Sequence, residues 1–260
     1  MPNGNRVIVT MPAYMAERTL QDTLDHLPRA VIDDIILVDD ASTDGTAELA
    51  KSLGLHVVVH PDNRGYGANQ KTCYDVALAQ GADVVVLLHP DFQYDPSTID
   101  TLIQPILRGD ADFVFGSRYA EGGNPRAGGM PLYRDIGNRV VTWIENRFMG
   151  TRFTELHSGY KAYSRLFLQA IGYHEFSDHF VFDSQMLISA AFSRQLRIKE
   201  VPIPTRYEDR SSSVNIRNSL RYVADTFIYL LHSFAQQRKI RSTIESRLSG
   251  LDAAQRPSSS

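Results

Sequence analysis

The segment His89-Pro90-Asp91-Phe92-Gln93 follows directly on the apolar run VVVLL at 84–88. An imidazole, a carboxylate and an amide oxygen therefore recur at every second position, and side chains two apart on extended backbone point to one side. A carboxylate backed by other oxygens suits a hard divalent cation, and manganese accepts imidazole as well. Asp91, with His89 and Gln93 beside it, could aim at one such ion. A cation so held, Mn2+ or Mg2+, would offset the charge of a bound diphosphate. The competing reading of the same residues is a Pro-Asp surface turn with a satisfied histidine.

Asp39-Asp40 ends a second apolar run, IILV at 35–38. A carboxylate there can accept the N–H protons of a nucleobase, a role expected of Asp40; uracil and guanine both offer such protons. Asp178 and Asp183 are the carboxylates that could act as general base toward a hydroxyl acceptor. Asp183, within the apolar stretch FVFDSQ, is as readily a buried structural group. Arg206, Arg210, Arg217 and Arg221 form a basic series, either a solvated face or a surface for lipid phosphate and anionic membrane. Trp143 reads as a packing residue rather than a sugar platform, His157 as an exposed loop histidine, and Cys73 as a small buried filler.

The elements that must position these groups are marked by period and by breakers. Apolar runs at 6–12, 33–40, 55–60, 82–89 and 112–119 alternate with helical stretches, among them 17–27 with Leu20, Leu24 and Leu27 on one face. The pattern predicts a doubly wound α/β fold, a mostly parallel sheet buried on both faces by helices. Ligands of such sheets bind beyond the carboxyl ends of the strands, where Pro12-Ala13-Tyr14, Asp39-Asp40 and His89-Pro90-Asp91 all fall. After 120 come a Gly/Pro-rich loop, an amphipathic helix at 132–150, a loop at 154–165 and a helix at 180–195. A proline-broken strand at 197–208 and one long helix at 219–248 follow. The domain reading is an α/β domain over 1–218, a helical appendage over 219–250 and a disordered tail over 251–260.

Composition excludes several classes. The 260 residues are 43% hydrophobic, enough for one core, and a formal charge of −3 leaves no basic footprint for nucleic acid. One cysteine allows no internal disulfide and fits a reducing compartment. The first residues make no signal peptide, and no stretch approaches the roughly 18–20 apolar residues of a spanning helix, so a cytoplasmic protein is expected. The first strand is not followed by the glycines of G-x-G-x-x-G, and the P-loop and G-x-S-x-G patterns are missing.

MPAYMAERTL (11–20), ILVDDASTDGT (36–46), NRGYGANQ (63–70), HPDFQ (89–93) and GSRY (116–119) together resemble the inverting family 2 glycosyltransferases of GT-A fold. TWIENRFMGTRFTELHSGYKAYSR (142–165) and IPTRYEDRSSS (203–213) are similar to the branch containing dolichol-phosphate mannose synthase and other polyprenyl-phosphate glycosyltransferases. The resemblance implies that Pro12, Tyr14 and Glu17 line a nucleotide pocket, that Asp40 bonds the base and that Asp91 with Gln93 holds a divalent metal. It implies further that Arg118 faces the donor diphosphate or the acceptor phosphate, and that Arg134, Ser158 and Arg206 lie in acceptor-contacting segments. His89 departs from the pattern, which has its first aspartate there.

The expected activity is metal-dependent, inverting transfer from a UDP- or GDP-sugar to a polyprenyl phosphate at the cytosolic membrane face. A phosphate acceptor needs no base. A soluble hydroxyl acceptor, or a sugar-nucleotide-binding protein without transferase activity, are the alternatives. The apolar stripes of 132–150 and 219–248 would lie on the membrane, or else pack on the sheet or on another copy of the chain in a homo-oligomer.

Overall fold

A computed structural model describes the backbone of residues 4–204 and 216–255. Its strands are β1 (Val7–Ala13), β2 (Asp34–Asp39), β3 (His56–Val59), β4 (Val84–Leu87), β5 (Phe113–Ser117), β6 (Lys161–Ser164) and β7 (Ile198–Pro202). They form one sheet in the order β3-β2-β1-β4-β6-β5-β7. All run in one direction except β6, which is antiparallel to β4 on one side and to β5 on the other. The mostly parallel α/β sheet is as expected. β6 is an addition, because its residues KAYS lie in the stretch 154–165 that reads as loop. A four-residue strand with polar ends carries too little period to be seen.

The helices are α1 (Glu17–Asp25), α2 (Thr46–Ser52), α3 (Tyr66–Ala79), α4 (Ile99–Leu107), α5 (Leu132–Met149), α6 (Arg165–Ile171), α7 (Phe182–Ser193), α8 (Ile216–Ala235) and α9 (Gln237–Gln255). Why the strands read as unbroken apolar runs is plain from their two faces. Val7, Val9 and Met11 join Leu20 and Leu24 of α1 and Leu102 and Ile103 of α4 in one cluster. Ile8 joins Cys73 and Ala77 of α3 and Met186 of α7 in the other. Successive side chains serve opposite layers, so both registers must be apolar.

One C-terminal expectation changes. The single helix at 219–248 is two helices that break at Gln236, with no glycine or proline to signal it. Leu230 of α8 and Ile244 of α9 are buried in the same cluster as Phe113 and Val85 of the sheet. Trp143, read as a packing residue, is 69% exposed. α5 turns Asp135, Thr142, Glu145 and Met149 inward and leaves Tyr133, Ile136, Val140 and Trp143 outward. Ile228, Leu231 and Phe234 are likewise exposed on α8, which packs beside α5. Among the described residues no helix is long and apolar enough to cross a membrane.

Candidate functional site

Strand order reverses between β1 and β4, the place where an open α/β sheet opens a crevice at its carboxyl rim. Pro12 pairs with Val38 near the end of β1, Tyr14 is exposed just past it, and Asp40 follows β2. His89 lies two residues beyond β4. Lys161 opens β6 opposite Leu87, so the one reversed strand brings its first residue to the same rim.

The first two loops of the rim are sewn together by the residues of DASTDGT. Met15 N donates to Ser42 Oγ (2.8 Å) and Ala16 N to Thr46 Oγ1 (2.8 Å). Gly45 N donates to Glu17 Oε2 (3.1 Å), and Glu17 N to Asp44 Oδ2 (3.3 Å). Glu17, expected on the nucleotide pocket, is thus exposed and engaged with the second loop. Asp40 is similarly committed. Its Oδ1 accepts from Arg64 N (2.9 Å) and lies 2.7 Å from His60 Nδ1, while Oδ2 accepts from Gly65 N (2.9 Å). This carboxylate shapes the turn into α3, where Gly65 has φ 97° and where a Cβ would come within 2.8 Å of the Asp178 carbonyl oxygen. His60 was not anticipated, although it directly follows β3 on the same rim. Asp39 Oδ2 accepts from Ser42 N at 3.0 Å, and Oδ1 is buried without a partner.

HPDFQ is a turn and not a frayed strand. β4 stops at Leu87, Phe92 has φ 55°, and Gln93 N donates to Asp91 Oδ1 at 3.1 Å. The period-two argument for a shared ion therefore fails, and the three donors are related only as residues of one tight turn. Among the described residues no group of three or more His, Cys, Asp or Glu side chains forms a metal cage. One carboxylate, one imidazole and one amide oxygen nonetheless fit a cation that shares its coordination with a diphosphate.

Behind this turn lies a half-buried polar line that ends on buried Lys161. His89 Nε2 is 3.1 Å from Tyr66 Oη, and Tyr66 donates to Asp183 Oδ2 at 2.8 Å. Asp183 Oδ1 is 2.9 Å from Lys161 Nζ, whose side chain is 2% exposed. Burial pulls the Lys161 ammonium below its ordinary pKa, opposed by the attraction of Asp183. Burial also lowers His89, with Asp91 and Asp183 opposing. Tyr66 is raised by burial and by the Asp183 charge. Asp178, the other candidate base, pairs with Lys71 Nζ at 2.7 Å. Tyr66 and Lys161 went unread in the sequence; a lysine inside an alternating apolar stretch was the available signal for the second.

Arg118 directly follows β5 but is turned onto Glu155. Its Nε donates to Glu155 Oε1 (2.7 Å), its backbone N to Oε2 (2.8 Å), and its Nη2 also pairs with Oε1. Glu155 is fully buried and takes a further bond from Asn138 Nδ2 at 2.9 Å. The role expected of it toward a diphosphate stays a proposal; here the buried guanidinium has Glu155 as a counter-charge. The Gly-rich loop and β7 border a cavity of about 440 Å3 lined by Arg118, Gly122, Gly123, Asn124 and Ile203. A larger one, about 560 Å3, lies at the opposite ends of the strands beside Asp112, Arg197 and Glu245. Ser158 is buried and accepts from Tyr160 N at 3.3 Å. Arg134 is half-buried on α5, over the Tyr133 ring. His157 is not an exposed loop residue: it lies between Glu145 of α5 (3.1 Å) and Tyr222 of α8 (2.9 Å). Arg206 lies outside the described residues, as does Arg210; Arg221 is exposed, 3.7 Å from Asp225.

The chain is 30% identical over 223 residues to UDP-N-acetylglucosamine–dolichyl-phosphate N-acetylglucosaminyltransferase of Methanococcus voltae, covering 79% of this chain and 87% of that one. It is 27% identical to polyprenol monophosphomannose synthase of Mycolicibacterium smegmatis, covering 85% and 86%. In architecture it is similar to glucosyl-3-phosphoglycerate synthase from Mycobacterium tuberculosis, solved with Mn2+, UDP and glucosyl-3-phosphoglycerate. The TM-score is 0.70 at 20% identity, over 89% of this chain and 81% of that one. The model of glycosyl transferase family 2 matches residues 8–172, strands β1 to β6 with the whole rim they build, and the chain belongs to that family.

Proposed function

We propose that the chain transfers a glycosyl group, with inversion, from a nucleoside-diphosphate sugar to a polyprenyl phosphate. The observation that carries the acceptor assignment is the commitment of both candidate bases. Asp183 is held by Lys161 and Tyr66, and Asp178 by Lys71. A hydroxyl acceptor needs a carboxylate to take its proton; a phosphate oxygen is already an anion. That oxygen bonds to the anomeric carbon as the bond to the diphosphate breaks, and no proton has to move. The exposed stripe of Tyr133, Ile136, Val140 and Trp143 on α5, with Arg134, Arg139 and Arg147 on the same helix, supports a lipid acceptor met at an anionic surface. Relatives named for dolichyl and polyprenyl phosphates agree with it.

On the donor side, Tyr14 and Pro12 border the nucleotide at the end of β1. Asp40 Oδ2, with Gly65 N as its donor, keeps acceptor capacity for a base N–H. Asp91, with His89 and Gln93, would hold a divalent cation, which when bound offsets the charge on the departing diphosphate. Arg134, Ser158 and Arg206 remain assigned to the acceptor side. The test is transfer of radiolabelled sugar from UDP- and GDP-sugars to short polyprenyl phosphates against a panel of soluble hydroxyl acceptors. Label is expected in the organic-extractable product. Label entering only a hydroxyl acceptor, and lost in Asp183→Asn, overturns the assignment; donor binding without any turnover or hydrolysis overturns the transferase itself.

A further inference from the structure

The contacts from Lys161 to His89 have a fixed sense. Lys161 Nζ lies 2.9 Å from Asp183 Oδ1, and a carboxylate facing a cation there can only accept. The one hydroxyl proton of Tyr66 goes to Asp183 Oδ2 at 2.8 Å. Toward His89 Nε2, 3.1 Å away, the same oxygen has lone pairs alone to offer, so the imidazole donates from Nε2. A neutral imidazole carries one proton, and its other nitrogen, Nδ1, is left with a lone pair. The ring is also held in place. It stacks on Tyr66 at 5.5 Å, and a Cβ on Gly159 would meet its Cδ2 at 3.1 Å and Nε2 at 3.2 Å.

We propose that Tyr66, Asp183 and Lys161 are positioning residues that hold His89 as the Nε2–H tautomer, making Nδ1 its ligand atom toward the cation that Asp91 binds with the donor diphosphate. The inference rests on the metal-assisted reading above and deepens it. It gives one reason for a lysine buried in the sheet, for the loss of Asp183 as a base, and for an imidazole where the family pattern has a carboxylate. It also sets a preference among metals. An imidazole nitrogen suits manganese better than magnesium, which takes oxygen ligands, so the rim selects Mn2+ over Mg2+.

The proton position is read in metal-free, nucleotide-free protein by long-range 1H–15N correlation of the histidine rings, with His89 assigned by its loss in His89→Gln. The expected result is a protonated Nε2 and an unprotonated Nδ1. A ring protonated at Nδ1 overturns the proposal whatever the substrates are. Tyr66→Phe removes one hydroxyl, strands no buried charge and keeps the ring that packs on Phe180. In that variant the tautomer preference is expected to vanish and Mn2+-dependent binding of UDP or GDP to weaken about tenfold, the scale for losing a group that orients a metal-bound histidine. Nucleotide affinity in EDTA stays unchanged. A folded Tyr66→Phe with wild-type tautomer and Mn2+ dependence overturns the proposal. A third measurement is His89→Asp, which should lose the selectivity for Mn2+ over Mg2+; retained selectivity counts against Nδ1 as ligand. Transfer to a soluble acceptor would sink the acceptor assignment and leave these three readouts standing.

Discussion

Asp40 shows how much of a site residue's work is hidden from its sequence position. Its place at the end of an apolar run marks the rim correctly. Its partners, Arg64 N, Gly65 N and His60, lie 20 to 25 residues further on. Asp40→Asn replaces one acceptor oxygen with a donor and strands Arg64 N or Gly65 N. Both stability and nucleoside diphosphate affinity are expected to fall, each by about 1–3 kcal/mol, read from urea midpoints and calorimetry. Unchanged values in both would remove Asp40 from the site. Asp91→Ala is expected to abolish the metal dependence of donor binding, and His89→Ala to reduce it less, since imidazole adds a lone pair and no charge; calorimetry with and without Mn2+ checks the order. Arg118 was legible as a rim residue but not as half of an ion pair, because Glu155 is 37 positions away. Glu155→Gln removes the carboxylate that pairs with a buried guanidinium and is expected to cost about 3–5 kcal/mol in chemical denaturation.

At the scale of elements, long apolar runs were the readable part. β1, β2 and β4 serve two buried layers and announce themselves through unbroken Val, Ile and Leu. β6 did not, since Lys161 and Ser164 bound it and its pairing comes from strands far away in sequence. Nor did the break between α8 and α9, which tertiary packing imposes on a helix-forming stretch. α5 was read as amphipathic, yet which side its apolar residues faced depended on neighbours. Its inner side is the polar-containing one with Glu145 and Thr142, and its outer side carries Trp143. Ile136→Glu with Trp143→Glu should leave stability within about 0.5 kcal/mol, as for exposed positions. Co-sedimentation with anionic vesicles is expected to drop at least about tenfold, given the cost of placing two charges in the interface. Vesicle binding equal to wild type would detach α5 from the membrane reading.

Across the whole molecule the α/β class followed from alternation alone, whereas the standing of the C-terminal helices did not. An appendage would melt by itself, but Leu230 and Ile244 share a cluster with strand residues. We expect Ile244→Ala, a buried truncation worth about 2–5 kcal/mol, to shift the unfolding midpoint of the entire chain. Far-UV dichroism and the fluorescence of Trp143, the sole tryptophan, should report the same midpoint, as one cooperative unit requires. Separate transitions would restore the helices to an independent body.

The reversed strand has a mechanical corollary. Every other strand reaches the rim by its last residue and then runs out into a loop, so groups such as His89 and Asp40 are carried on loop backbone rather than on the ladder of the sheet. Lys161 instead stands at the beginning of a strand and is paired on both flanks, with Leu87 on one side and Phe115 on the other. It is a datum fixed in the lattice of the sheet, against which the softer parts of the crevice are registered. Its amide should accordingly be among the last in the chain to exchange with deuterium, opening only with global unfolding, while the amides of 90–93 exchange early.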